Sequence, residues 1–346
     1  MRIRIKHHYE IEYFDSFTLN LIHNSVASSF DFDFYFDPSN PIHKDVFNPT
    51  HFHSVEIFEG KEKLLTGTLL STSFNSSSSK ELSGASGYSL PGVLEDCQIP
   101  VELYPLQSDQ KTLKEIIEHF ISKFGFGLVI SDSVKDLADE VYDTTTADAS
   151  QPIKEYLSSL CSQKNIILSH TSNGNLLLTR ANSFGRNLYN FKKNDTAVLN
   201  MSLAFNGQPM HSDITTQKQA SIDTENAGES SLKNPFVPYT FRPLVKIQTS
   251  GTDNDTDKVA KNLRSKELAN ITISIKLNTW YLNNQFIKPN NIITIQNDEI
   301  FIYKTTRFFI ESISYTQTKD TTEAVLTCVL PQVYNDSEPS NFFELH

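Results

Sequence analysis

Apolar and polar residues alternate along most of residues 1–100. Phe30-Asp31-Phe32-Asp33-Phe34-Tyr35-Phe36 sets aromatics against acids ahead of Pro38 and Pro41, the pattern of a strand with one buried face. Val55-Glu56-Ile57-Phe58 and Leu64 to Leu70, parted by Glu59-Gly60-Lys61, predict a hairpin, and the serines of 75–79 predict a loop or hairpin tip. The period changes near residue 110. Leu113, Ile116, Ile117, Phe120, Ile121 and Phe124 share one helical face, Thr112 and Glu115 have capping-box spacing, and Gly125 and Gly127 end the run. A second helix is predicted from about Pro152 to Gln163, with Ser150 as N-cap and Ile153, Tyr156, Leu157 and Leu160 buried. Asn173-Gly174, between Ile166–Ser169 and Leu176–Thr179, predicts a type I′ hairpin.

Strand patterning returns beyond residue 183. The polar stretch Gln219 to Lys233 has no aromatic residue and cannot by itself offset the entropy of ordering, so it is expected to be mobile or to order only against a neighbour. A helix from about Asp257 to Ala269 places Val259 and Leu263 on one side. Long strands follow at Ile271–Leu277, Ile292–Ile295, Phe301–Tyr315 and Ala324–Leu330, with Lys319-Asp320 at the last turn. There is an internal echo. Phe47-Asn-Pro49 leads to Val55-x-Ile57, a turn and a strand; Ile287-Lys-Pro289 leads to Ile293-x-Ile295, a turn and a strand. The reading is a mainly β chain with α+β insertions: two barrel-like β domains plus small α+β domains. The expected boundaries are 1–100, a first barrel-like domain; 101–182, α+β; 183–335, a second barrel-like domain with a helix-containing insertion; and 336–346, a tail.

Composition narrows the function. The 346 residues carry 24 Phe and 13 Tyr for core building, and 12 Gly and 14 Pro argue against a fibrous or low-complexity chain. A formal charge of −11 without a Lys/Arg cluster argues against specific nucleic-acid binding. The N-terminal MRIRIKHHYEIEYF alternates charged with apolar residues, unlike a signal peptide, and no apolar run approaches the length of a membrane span. Cys97, Cys161 and Cys328 are too widely spaced for a metal knuckle and odd in number, pointing to a reducing compartment.

Candidate chemistry is sparse. His51 and His53 at i, i+2 would face the same way on a strand, but no third ligand is evident; His43 lies across a Pro/Asn turn, and surface histidines are the better reading. His7-His8 would point to opposite strand faces. Glu95-Asp96 beside Cys97 reads as a turn or strand end, since adjacent residues rarely converge on one substrate. No nucleophile elbow, zincin, P-loop or Rossmann glycine pattern occurs, so no catalytic residue, cofactor or metal is expected. Tyr239, Phe241 and Arg242, clustered before Pro243, are candidate subunit contacts, because aromatics and Arg are enriched at interfaces; packing on a proline-rich crossing is the alternative.

Four stretches in order resemble the baseplate hub family of contractile-tailed phages (the phage Mu hub-like proteins, related to the T-even hub and the base of VgrG spikes). They are the polar run into an aromatic strand over Ser16–Phe36; Ser86-Gly87-Tyr88-Ser89 followed by Leu94-Glu95-Asp96-Cys97; the helix and hairpin ending Leu177-Leu178-Thr179-Arg180-Ala181; and Tyr239-x-x-Arg242-Pro243, a polar helix and the Trp280 segment. The resemblance implies a structural, non-enzymatic subunit of the tail baseplate: a homotrimeric ring joining tail tube to central spike, in contact with other baseplate proteins, placed in the virion after assembly in the host cytoplasm. DNA would pass through the ring without specific binding, and no membrane is implicated. A carbohydrate-binding or adhesin protein of the virion is the alternative; a cell-wall hydrolase is a more distant one.

Overall fold

The computed structural model describes residues 1–76, 82–218, 229–248, 256–335 and 337–344. The chain is mainly β, with curled sheets and small helical insertions. It divides into two compact units, residues 1–181 with 313–323 and residues 182–312 with 324–346.

In the first unit, β1 (Arg2–Ile5), β2 (Tyr9–Ile11), β3 (Ser16–Ile22) and β4 (Ser29–Phe34) precede a short helix, α1 (Pro41–Val46). β5 (Ser54–Glu59), β6 (Glu62–Ser73) and β7 (Ser83–Ser89) follow, and the antiparallel order is β3-β4-β7-β6-β5-β1-β2. Period-2 alternation drives Ile3, Ile5, Phe17, Leu19, Phe30, Phe32 and Phe34 inside, while Asp31 stays exposed. Phe34 stacks on Phe47 at 3.7 Å. β6 and β7 approach so closely that a Cβ on Gly87 would sit 1.9 Å from the Thr68 carbonyl oxygen.

The same unit then carries the α+β segment. α2 (Val93–Asp96), β8 (Lys111–Thr112), α3 (Leu113–Ile121), β9 (Leu128–Ile130) and α4 (Lys135–Ala138) lead to β10 (Val141–Tyr142). α5 (Ile153–Gln163), β11 (Ile167–His170) and β12 (Leu176–Thr179) complete it, with β12 central between antiparallel β11 and parallel β9. Thr112 and Glu115 form the capping box, and the predicted apolar faces of α3 and α5 meet in one core. Two local expectations are corrected. Pro152 is the N-cap of α5, and Ser150 instead turns back on Asp148, its N–H and Oγ both donating to Oδ1. Asn173-Gly174 does lie in a hairpin tip, but only Gly174 has positive φ (82°), so the type I′ turn, which needs two such residues, does not form. The loop closes through Thr171, whose carbonyl accepts the Gly174 N–H at 3.0 Å and whose N–H donates to the Asn175 carbonyl at 2.8 Å.

The second unit contains β13 (Asn187–Lys192), β14 (Val198–Phe205), β15 (Asp213–Lys218), β16 (Glu229–Lys233), β17 (Pro243–Gln248) and α6 (Thr256–Leu268). β18 (Ile271–Leu277), the small hairpin β19 (Tyr281–Leu282) and β20 (Gln285–Phe286), β21 (Ile292–Asn297), β22 (Ile302–Thr318) and β23 (Thr322–Val329) follow. Residues 313–318 of β22 and 322–323 of β23 belong to the first unit. The strand order is β14-β18-β23-β22-β21-β13. Taken in chain order, this is the order β3-β4-β7-β6-β5-β1 of the first unit. The proline-led hairpins β5–β6 and β21–β22 therefore hold the same place in the two sheets. The outermost pair differs: β1 runs antiparallel to β5, whereas β13 runs parallel to β21.

Residues 219–228 of the polar stretch lie outside the described residues. Glu229–Lys233, expected to lack order of its own, is a strand because β15 supplies its antiparallel ladder and α6 packs beside it. α6 also turns a different face inward than expected. Ala260, Arg264 and Leu268 at i, i+4, i+8 are buried with Glu267, whereas Val259 and Leu263 are half-exposed. Hydrogen bonds decide this. Glu267 accepts from the His211 N–H at 2.9 Å and from Asn234 Nδ2 at 3.2 Å, so a buried carboxylate is satisfied.

Candidate subunit-contact site

Apolar residues recur at every second position from Tyr239 through Phe241, Pro243 and Val245 to Ile247. Their setting is the three-stranded sheet β16-β15-β17. β17 pairs in parallel with β15, from Asp213↔Pro243 to Lys218↔Gln248, and β16 occupies β15's other side. Among the described residues β17 is thus an edge strand. α6 packs on β15 and β16, and Thr216 Oγ1 donates to the Thr256 carbonyl at 2.6 Å.

Alternate residues of an extended strand share a side. Val245 and Ile247, 57% and 61% exposed, therefore project together, and Tyr239 and Phe241, 90% and 83% exposed, stand in the bend and loop just ahead of the strand. An edge strand bearing exposed apolar side chains combines free main-chain hydrogen-bonding capacity with a contact surface, a combination that folded proteins usually suppress. Fully burying each of these side chains would contribute about 1.5–3 kcal/mol.

The loop that presents the aromatics is anchored at both ends. At one end the Asn234 N–H donates to the Ser212 carbonyl at 2.9 Å, Asn234 Oδ1 accepts the Phe236 N–H at 3.1 Å, and Asn341 Nδ2 holds the Pro235 carbonyl at 3.1 Å. The buried Phe236 ring packs edge-on against Phe342 at 5.6 Å. At the other end Arg242 is half-buried. Its Nε donates to the Met210 carbonyl at 3.0 Å and its Nη2 to that of Gln208, while its N–H donates to Ser212 Oγ at 2.8 Å. Of the three residues expected at a contact, two stand in the open and Arg242 spends its donors holding the loop. Val245 and Ile247 were missed, although the period-2 signal runs through them. Alternation does not say which side of a strand is covered, and only the placement of α6 on β15 and β16 leaves theirs bare.

The remaining sequence candidates are scattered. Glu95 pairs with Lys154 at 3.3 Å, and Asp96, at the end of α2 rather than in a strand, accepts from Tyr88 Oη at 2.7 Å. His7 lies in the turn between β1 and β2 with φ 65°, so it and His8 do not occupy opposite faces of a strand. Cys97, Cys161 and Cys328 are free thiols, and burial pushes the Cys161 thiol up to about 12. Both ring nitrogens of His43 are engaged, Nδ1 by the Asp37 N–H and Nε2 by Tyr9 Oη, each at 3.0 Å. No helix is long and apolar enough to cross a membrane among the described residues.

No family model matches the sequence, and no curated protein sequence matches it. Solved structures do. The 43 kDa tail protein of prophage MuSo2 from Shewanella oneidensis superposes with a TM-score of 0.79 at 17% identity, over 96% of this chain and 99% of that one. A tail protein from Neisseria meningitidis MC58 gives 0.74 at 14% identity, over 96% and 98%. The E. coli c3393 protein, a type VI secretion component described as structurally similar to the T4 tail proteins gp27 and gp5, gives 0.58 at 11% identity, over 95% and 76%. The chain has the fold of these prophage tail proteins and of the type VI secretion component.

Proposed function

We propose that this chain is a structural, non-catalytic subunit of a phage or phage-like contractile tail, a baseplate hub whose homotrimeric ring joins the tail tube to the central spike. The observation that carries the reading is the extent of the correspondence: 96% of this chain aligns with 99% of a prophage tail protein. A type VI secretion component resembling gp27 and gp5 shares the fold over 95% of the chain, which supports a place where tube and spike meet.

The duplicated strand order gives the proposal a physical basis. A hub must meet a sixfold tube on one side and a threefold spike on the other. Three copies of a chain with two similar sheets present six similar units, so threefold closure yields a pseudo-sixfold face from one polypeptide. The β17 edge with Tyr239 and Phe241 is the subunit contact in this reading, where pairing between copies also covers an edge that would otherwise invite aggregation. The tube protein, the spike and other baseplate proteins are the partners, and the virion baseplate, built in the host cytoplasm, is the location. Native mass spectrometry of the purified chain, alone and with tube and spike proteins, is the test. The expected species is a trimer, formed alone or on addition of a partner. A chain that stays monomeric with both partners present overturns the hub reading, and glycan binding by that monomer would replace it with the virion carbohydrate-binding one.

A further inference from the structure

The loop between α1 and β5 turns in an uncommon way. Phe52, a bulky residue between two histidines, adopts φ 46° and is 56% exposed. Left-handed backbone at a large non-glycine side chain is unfavourable, and it persists only where the surroundings impose it. Its effect here is to bring His51 and His53 together outside any strand, their ring centroids 5.1 Å apart and nearly perpendicular.

Both rings meet Asp45, in the last turn of α1. His51 Nδ1 lies 3.4 Å and His53 Nε2 3.9 Å from Asp45 Oδ1. The three ligand-type atoms all fall within 4.8 Å of one another. Ligand atoms around a tetrahedral zinc ion at ordinary bond lengths stand roughly 3.3 Å apart, so a small contraction would close this triangle on one metal. Lys6 Nζ donates to the other carboxylate oxygen, Oδ2, at 2.6 Å, which orients the group and leaves Oδ1 directed at the histidines. His53 is mostly buried and His51 about half-exposed, leaving an open side for a fourth ligand.

A simpler role exists for the same atoms. The Asp45 main-chain carbonyl lies 3.2 Å from His51 Nδ1 and 3.0 Å from His53 Nε2, so imidazole N–H groups can cap the end of α1. One carbonyl does not require two imidazoles and a left-handed Phe52, however, and a metal site uses all three features. We propose that Asp45, His51 and His53 form a binding site for a divalent transition metal of the zinc class, with water or a partner group in the fourth position. Binding would exchange the imidazole contacts to the carbonyl for metal bonds, the ring protons moving to the opposite nitrogens. The site belongs to the first unit, and the proposal does not depend on the subunit contact proposed for the second.

Zinc titration of the chelator-stripped full chain by isothermal calorimetry tests this, with cobalt absorption spectra reporting geometry. One saturable equivalent is expected, with a tetrahedral cobalt spectrum and a rise in melting temperature. His51→Ala, at an exposed position that folding tolerates, and His53→Gln should each weaken binding at least tenfold. Absence of saturable binding, or titration of His51→Ala indistinguishable from the parent chain, overturns the proposal and leaves helix capping as the role of the cluster.

Discussion

His23 is the residue whose environment most clearly predicts a pH response. It is buried, and burial together with the neighbouring His170 pushes its imidazole down to about 4 from an ordinary 6.5. Burial lowers His170 as well, and its Nε2 lies 2.7 Å from Ser28 Oγ. A depressed histidine binds fewer protons folded than unfolded, so stability is complete above the unfolded pKa and falls as pH drops from about 6.5 towards about 4. The His23 contribution is roughly 3 kcal/mol across that window. Urea midpoints measured at pH 7.5 and pH 4.5 should separate widely for the parent chain. His23→Gln, which cannot titrate, should narrow the separation; an equal separation in both would mean that carboxylates alone set the acid response.

Among the elements, β6 and β7 leave no room for a side chain at Gly87, because their backbones pass too closely there. A Cβ at Gly87 would also meet Phe30 Cζ at 2.7 Å, so Gly87→Ala must part the strands or displace a core ring. Such overpacking typically lowers stability by about 1–3 kcal/mol, and thermal melts of the variant should show it; an unchanged melt would mean that the sheet flexes freely there. Elements with strong periodicity were legible from sequence: the apolar face and capping box of α3, the aromatic alternation of β4, the hairpin β5–β6. α6 was legible as a helix but not in its orientation. Its inward face is set by Arg264 and Glu267, side chains that local patterning assigns to solvent, and by their partners on β16 and the loops around it.

At the scale of the whole molecule, the proposed assembly rests on the β17 edge. Tyr239 and Phe241 are so exposed that replacing both with Ser should leave the unfolding free energy within about 0.5 kcal/mol of the parent. The same double variant should raise the concentration needed for assembly by more than tenfold, because buried aromatics dominate contact energies. Mass photometry over a dilution series reads this directly. Assembly unchanged in a well-folded double variant would remove this surface from the subunit contact while leaving the hub reading to its own test.

The sequence by itself determined which segments are strands and helices wherever one face is continuously apolar, since a period of 2 or 3.6 is imposed by backbone geometry before any tertiary contact forms. It also carried the hub-family resemblance and, in the proline-led echo, a trace of the duplicated strand order. Tertiary structure alone decided the rest. Which side of β17 stays bare depends on where α6 docks, and whether Glu229–Lys233 is a strand depends on β15. The gathering of Asp45, His51 and His53 depends on one left-handed residue, Phe52, that no periodicity announces. Local patterning reports what a segment can bury; only the assembled fold determines what remains uncovered and which distant side chains meet.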